Sequence, residues 1–245
     1  MSAIVLIPAR LAAARLPHKP LADIGGLPMI VRVLRQAEAA GVGPVAVAAG
    51  DRAIVDVVEA AGGRAVLTDP DLPSGTDRIL AALQALGDAG GADIVLNVQG
   101  DMPFVDPAAV VACAALLQDE PSCDIATTVG RAVTEAERTD PDVVKAILSM
   151  RGETRGRALY FTRAAPYGDG PVWHHFGIYG YRRAALERFC AAPPSPLERR
   201  EKLEQLRALE MGMSLWATVL DAAPISVDNP ADLAAARAYA EKHAL

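Results

Sequence analysis

The chain opens with Ile4-Val5-Leu6-Ile7, an aliphatic run without polar alternation that stops at Pro8. Four such residues are too few for a helix and too uniform for a half-exposed strand, so they predict a strand buried on both faces, the central strand of a parallel sheet. Helical spacing follows: Pro28 stands in the first turn of a segment whose apolar positions are Met29, Ile30, Val33, Leu34 and Ala37, ended by Gly41 and Gly43. A short strand at 45–48, a helix opened by Asp51 and carrying Ile54, Val55 and Val58, and a strand at 65–67 complete the alternation. Next come an amphipathic helix after Ser74 with Ile79, Leu80, Leu83 and Leu86, an aliphatic strand at 93–98, and a helix opened by Pro107. Strands and helices alternating across connections of a few residues predict an α/β fold with a parallel, doubly wound sheet.

Beyond residue 120 the pattern changes, because strands then come in succession: 123–129, 143–148, 158–161 and 175–181. Ser195-Pro196-Leu197-Glu198 is a capping box with proline at the first helical position, and predicts one helix presenting Leu197, Leu203, Leu206 and Leu209, with Glu204-Gln205 near its middle. A strand at 215–220 and a last helix begun by Asn229-Pro230 close the chain. No Pro/Gly-rich linker interrupts the 245 residues, which predicts a single domain with one sizeable core.

Composition narrows the function classes. The longest strongly apolar run, 108–117, falls far short of the ~20 residues of a membrane-spanning helix, and no cationic leader precedes the first apolar run, so we expect a cytoplasmic protein without membrane contact. A net charge of −6 without a basic block, and 4% aromatic residues, speak against nucleic acid as a partner. Three cysteines, Cys113, Cys123 and Cys190, match neither a disulfide framework nor zinc-ligand spacing and are read as reduced packing residues.

Against that acidic background, Arg10, Arg15 and Lys19 stand out in a loop of alanines and prolines directly after the first strand. Ligands of open α/β sheets sit beyond the carboxyl ends of the strands, where this loop would meet a nucleotide triphosphate. Neither a Walker A pattern nor Gly-x-Gly-x-x-Gly is present, so side-chain cations would do the work that backbone amides do in those motifs; a solvated surface would explain the same cations equally well. Gln99-Gly100-Asp101 at the end of the 93–98 strand offers a carboxylate to a hard cation such as Mg²⁺, or merely a turn before a helix. Ser74-Gly75-Thr76-Asp77-Arg78 reads first as a helix cap, and Asp228 as support for the last helix terminus. His175, set among aromatics without a second histidine at ligand spacing, reads first as a packed core residue.

Together these segments carry a likeness. Ile7-Pro8-Ala9-Arg10, Arg15-Leu16-Pro17 and Lys19-Pro20-Leu21 resemble the N-terminal signature of the sugar-acid cytidylyltransferases, and within that group the 3-deoxy-manno-octulosonate (Kdo) cytidylyltransferase family. Gln99-Gly100-Asp101-Met102-Pro103 is similar to that family's Gln-Gly-Asp-Glu-Pro, with Met102 where Glu is usual, and His175-Phe176-Gly177-Ile178-Tyr179-Gly180-Tyr181 to its His-Leu-Gly-Ile-Tyr-Gly-Tyr. The resemblance implies a Rossmann-like nucleotidyltransferase sheet, mostly parallel, with a small lobe at about 143–174 that closes over the sugar and pairs two chains into a homodimer. It implies CMP transfer from CTP to Kdo for lipopolysaccharide biosynthesis. Arg10, Arg15 and Lys19 would neutralise the triphosphate, Ser74 and Gly75 would face cytosine with Arg78 and Gln99 beside them, and Asp101 with Asp228 would hold Mg²⁺. Arg163 and His175 would meet the sugar acid, and Glu204 and Gln205 its hydroxyls. A thioether at Met102 cannot replace a carboxylate toward Mg²⁺. Three alternatives stay open: transfer to the 8-amino analogue of Kdo, transfer to another sugar acid, or a homologue that binds nucleotide with little turnover. The last is motivated by Met102, by Ala13-Ala14 and by Ala49-Gly50, where the family usually carries other residues.

Overall fold

A computed structural model of the chain describes residues 1–12, 16–87, 91–132, 134–168 and 170–244. They form two compact units, one made of 1–111 with 224–245 and the other of 112–223.

In the first unit, strand β1 (Ala3–Ala9) is followed by a 3-10 turn at Lys19–Leu21 and a small hairpin, β2 (Asp23–Ile24) and β3 (Leu27–Pro28). The hairpin turn is Gly25-Gly26, both at positive φ (58° and 80°), as a primed two-residue turn demands. Helix α1 (Met29–Ala39) buries the apolar positions that its spacing predicted, and β4 (Val45–Ala49), α2 (Arg52–Ala60), β5 (Ala65–Leu67), α3 (Gly75–Ala85) and β6 (Ile94–Asn97) follow in strict alternation. The sheet order is β5-β4-β1-β6, and every pairing within it is parallel. Ile4 to Ile7 are at most 1% exposed, because β4 and β6 flank them and α1 and α3 pack on β1. The predicted central strand and parallel sheet are therefore present. Parallel order brings the carboxyl ends of β1, β4 and β6 to one rim. Helix α4 (Pro107–Asp119) leads out of this unit.

The second unit holds β7 (Ile125–Arg131), α5 (Glu135–Thr139), β8 (Lys145–Arg151), β9 (Arg155–Thr162), β10 (Trp173–Arg182), α6 (Arg183–Ala191), α7 (Pro196–Glu201), α8 (Gln205–Glu210) and β11 (Leu215–Leu220). Its strands run in the order β10-β7-β11-β9-β8, with only β7 and β11 parallel, and β8 pairs again with β10 at Trp173↔Ala146 and His174↔Lys145. Helix α6 was absent from the sequence reading, although Ala185, Leu186 and Phe189 sit at helical spacing and are buried.

The single helix expected after Ser195 is corrected to two. The capping box forms as predicted, but Lys202 takes the left-handed region (φ 55°), where α7 ends, and α8 starts afresh after Glu204. In one continuous helix Leu197 and Leu203 would point about 120° apart, so no single face could bury the whole leucine set. The break puts Leu203 and Leu206 into the core, and a bidentate Arg207–Glu198 pair (2.7 and 2.6 Å) ties the pieces together. At the far end the chain returns to the first unit as α9 (Pro230–Lys242). Among the described residues no helix is long and apolar enough to cross a membrane. The Cys113 and Cys123 thiols are buried, which pushes that of Cys123 up to about 12.

Candidate active site

The rim of the first unit encloses a cavity of about 340 Å³, lined by Pro8, Ala9 and Arg10 from the end of β1, Lys19 from the 3-10 turn, Ser74, Gly75 and Arg78 from the start of α3, Gln99, Gly100 and Asp101 after β6, and Asp228 before α9. Residues read from five separate stretches thus share one wall. Arg15, with Ala13 and Ala14, lies outside the described residues.

Two glycines permit this convergence. A Cβ on Gly100 would stand 2.7 Å from the Pro8 carbonyl oxygen, so only glycine lets the β6 turn lie against the end of β1. A Cβ on Gly50 would stand 2.7 Å from Arg78 Nη1, and the guanidinium occupies the space that a side chain there would need.

At one side of the cavity Lys19 Nζ lies 3.0 Å from Asp101 Oδ2 and 3.4 Å from Asp228 Oδ1, so one ammonium spans both carboxylates. Asp228 does not cap α9: the Asn229 side chain accepts from Ala231 and Asp232 amides, and Asp232 accepts from the Asp228 and Asn229 amides. The Asp228 carboxylate is turned instead toward Lys19, opposite Asp101. Burial pushes the Asp101 carboxyl above the usual range, with Lys19 pulling it back and Asp228 adding to the rise. Met102, one residue on, is buried as an apolar residue and adds no oxygen ligand.

Other predicted residues have more specific duties than the sequence indicated. The Ser74 hydroxyl caps α3, accepting from the Asp77 amide (3.1 Å) and donating to the Asp77 carboxylate (2.8 Å). Arg78 is 2% exposed and clamps the segment ahead of α3, donating to Thr68 Oγ1 (2.7 Å), the Asp69 carbonyl (2.9 Å) and the Pro70 carbonyl (3.1 Å). Burial, then the neighbouring Arg10 charge, lowers the Arg78 guanidinium below its ordinary value. Gln99 Nε2 donates to Asn97 Oδ1 at 3.2 Å, while Arg10 is exposed at the cavity mouth. Asp51, which the sequence marks only as the opening of α2, makes no side-chain cap there and instead accepts from the Leu11 amide at 2.7 Å, anchoring the cationic loop.

In the second unit, Glu204 and Gln205 line a void of about 10 Å³ with Tyr179, Tyr181 and Phe189. Burial, then the Glu204 charge, pushes the Tyr179 hydroxyl far up. His175 stands beside Tyr179, ring centroids 5.4 Å apart, and burial pushes its imidazole down to about 3. Arg163 donates to the Pro141 carbonyl at 3.0 Å, and its own carbonyl accepts from the buried Lys145 ammonium at the same distance.

The cytidylyltransferase family profile matches residues 4–215. A 3-deoxy-manno-octulosonate cytidylyltransferase of Rhodopseudomonas palustris is 59% identical over 96% of this chain and 96% of its own, and one of Parvibaculum lavamentivorans is 57% identical over 96% and 91%. Among solved structures, a CMP:2-keto-3-deoxy-manno-octonic acid synthetase complexed with CTP superposes with a TM-score of 0.91 at 36% identity, covering 99% of this chain and all of the other. With its parallel rim, paired aspartates and a match along nearly its whole length, the chain belongs to the cytidylyltransferases, in the 3-deoxy-manno-octulosonate cytidylyltransferase family.

Proposed function

We propose that this enzyme transfers CMP from CTP to Kdo, releasing pyrophosphate, in the cytoplasm and in the service of lipopolysaccharide synthesis. The observation that carries the reading is the Lys19 ammonium spanning Asp101 and Asp228 inside a cavity that also presents Arg10. In the reaction the anomeric 2-hydroxyl of the sugar attacks the α-phosphorus of CTP in line; the bond to pyrophosphate breaks as the new ester forms, and the hydroxyl proton goes to solvent. Arg10 and Lys19 counter the charge that gathers on the departing pyrophosphate. Gly75 lies close against Pro8 on the cavity wall, where an added Cβ would stand 3.3 Å from Pro8 Cγ, and its backbone there is what we propose faces the base.

Asp101 and Asp228 fit Mg²⁺. They are hard oxygen donors in the number that this ion commonly takes from protein, the rest coming from water and substrate phosphate. Among the described residues no group of three or more potential metal ligands forms. When bound, Mg²⁺ supplies Lewis-acid stabilisation of the transferring phosphoryl group. We also propose a homodimer through the 143–174 region, where Leu159 is 55% exposed on β9; light scattering at micromolar concentration is expected to give twice the chain mass, and a monomer would end that idea.

The test of the reaction is pyrophosphate release across CTP, UTP and ATP crossed with Kdo, its 8-amino analogue and a sialic acid. Turnover is expected with CTP and Kdo. Equal rates with ATP, or no rate with any pair, would overturn the proposal.

A further inference from the structure

The antiparallel register between β10 and β7 slips between Phe176 and Tyr179. Such a slip takes residues out of the ladder and leaves their carbonyls to find other donors. A threonine of β7 supplies one: Thr127 Oγ1 lies 2.8 Å from the Ile178 carbonyl, and beside it Thr128 Oγ1 lies 3.3 Å from the carbonyl of its ladder partner Phe176. Thr127 Oγ1 also lies 2.9 Å from His175 Nε2.

A threonine hydroxyl has one proton and two lone pairs, and a carbonyl can only accept. With the Thr127 proton on the line to Ile178, the contact with Nε2 is made by a lone pair, so the proton on that line belongs to the imidazole. The opposite assignment would set two oxygens 2.8 Å apart with no proton between them. The ring is held in place by Phe161, edge-on at 5.0 Å, and Tyr179 at 5.4 Å. Among the described residues its other nitrogen, Nδ1, has no hydrogen-bond partner, and the residue is only half-buried. Burial, then the neighbouring His174, keeps the imidazole neutral.

We infer that Thr127 is a positioning residue that locks His175 as the Nε2–H tautomer, so that His175 meets its ligand with a lone acceptor, Nδ1, and selects a hydroxyl donor of the sugar over any anionic oxygen. This rests on the reading of His175 as a sugar contact. A carboxylate against Nδ1 would meet lone pair with lone pair; a sugar hydroxyl donates to it.

Nitrogen-15 NMR of histidine-labelled enzyme tests the first half without reference to activity, with His175→Gln identifying the signal among the four histidines. At pH 7 we expect a neutral Nε2–H ring in the wild type and in Thr127→Ser, and mixed tautomers in Thr127→Val. The Nδ1–H form or an imidazolium in the wild type, or an unchanged signal in Thr127→Val, would overturn the lock. For the second half, Thr127→Val is expected to raise the KM for the sugar about tenfold, with kcat and the KM for CTP nearly unchanged and Thr127→Ser close to wild type. A sugar KM that stays put in Thr127→Val despite lost tautomer order would overturn the selection. If His175→Gln also leaves it unmoved, the error lies in placing the sugar at His175, and the lock itself stands.

Discussion

The backbone amide of Val227 donates to the Asp101 carbonyl at 2.9 Å. This one bond joins the turn after β6 to the segment before α9, so the two aspartates are neighbours by main-chain geometry and do not depend on Lys19 to find each other.

Asp101→Asn and Asp228→Asn keep shape and leave the Val227 bond and the Asn229 cap in place, so both are expected to unfold within about 1 kcal/mol of wild type. Turnover should fall by two orders of magnitude or more, and the double variant should lose little beyond either single one, because the pair acts as a unit. Near-normal rates for Asp228→Asn at low Mg²⁺ would show that the pair is not the catalytic feature.

Arg78→Ala strips donors from Thr68, Asp69 and Pro70 at once. Urea denaturation is expected to register a loss of about 2 kcal/mol or more, with a higher KM for CTP. Lysine cannot reproduce the fork, so Arg78→Lys should rescue poorly. Gly50→Ala, whose new methyl would crowd Nη1, should push KM the same way; an unchanged KM in both variants would detach this clamp from nucleotide binding.

His175 sets an acid limit. Its imidazole stays near 3 in the folded chain against about 6.5 unfolded, so between those values the unfolded chain alone takes up the proton. Stability from this group is complete above pH 6.5 and drains as the pH falls toward 3, by about 2 kcal/mol at pH 5. Unfolding free energies of wild type and His175→Gln at pH 7 and pH 5 should differ by that much; parallel curves would contradict it.

Breaking the largely buried Glu198–Arg207 pair by Arg207→Met is expected to cost about 3 kcal/mol, because the Glu198 carboxylate loses its charge partner and both bonds from it while keeping the Ser195 amide. Replacing both partners with apolar residues should recover much of the loss, and a double-mutant cycle by thermal melting would measure the coupling. Simple additivity would mean that the two helices are joined by packing alone.

Much of the first unit was legible in the sequence, since β1, α1, α2 and α3 each announce themselves by local spacing and the parallel rim follows from their alternation. Arg10, Lys19 and Asp101 stood out as charges beside the ends of apolar strands, whereas the roles expected of Gln99 and Asp228 came only from the resemblance of their motifs to the family's. The duties of Asp51 and Arg78 were not legible, because their partners at Leu11 and at 68–70 are set by how loops cross. Thr127 was hidden more deeply. In sequence it is one residue of a plain strand, and its role exists only through a register slip against a strand some fifty positions later.

The left-handed turn at Lys202 also bears on how this chain tolerates change in length. In an unbroken helix, each residue inserted upstream would swing Glu204 and Gln205 by about 100° around the axis. Because the chain resets at Lys202 and begins a new helix after Glu204, an insertion or deletion within α7 can be absorbed at the turn, leaving α8 to keep its heading as long as Arg207 still reaches back to Glu198. Drift in length is thereby confined to a surface segment, while the pair beside Tyr179 keeps its bearing.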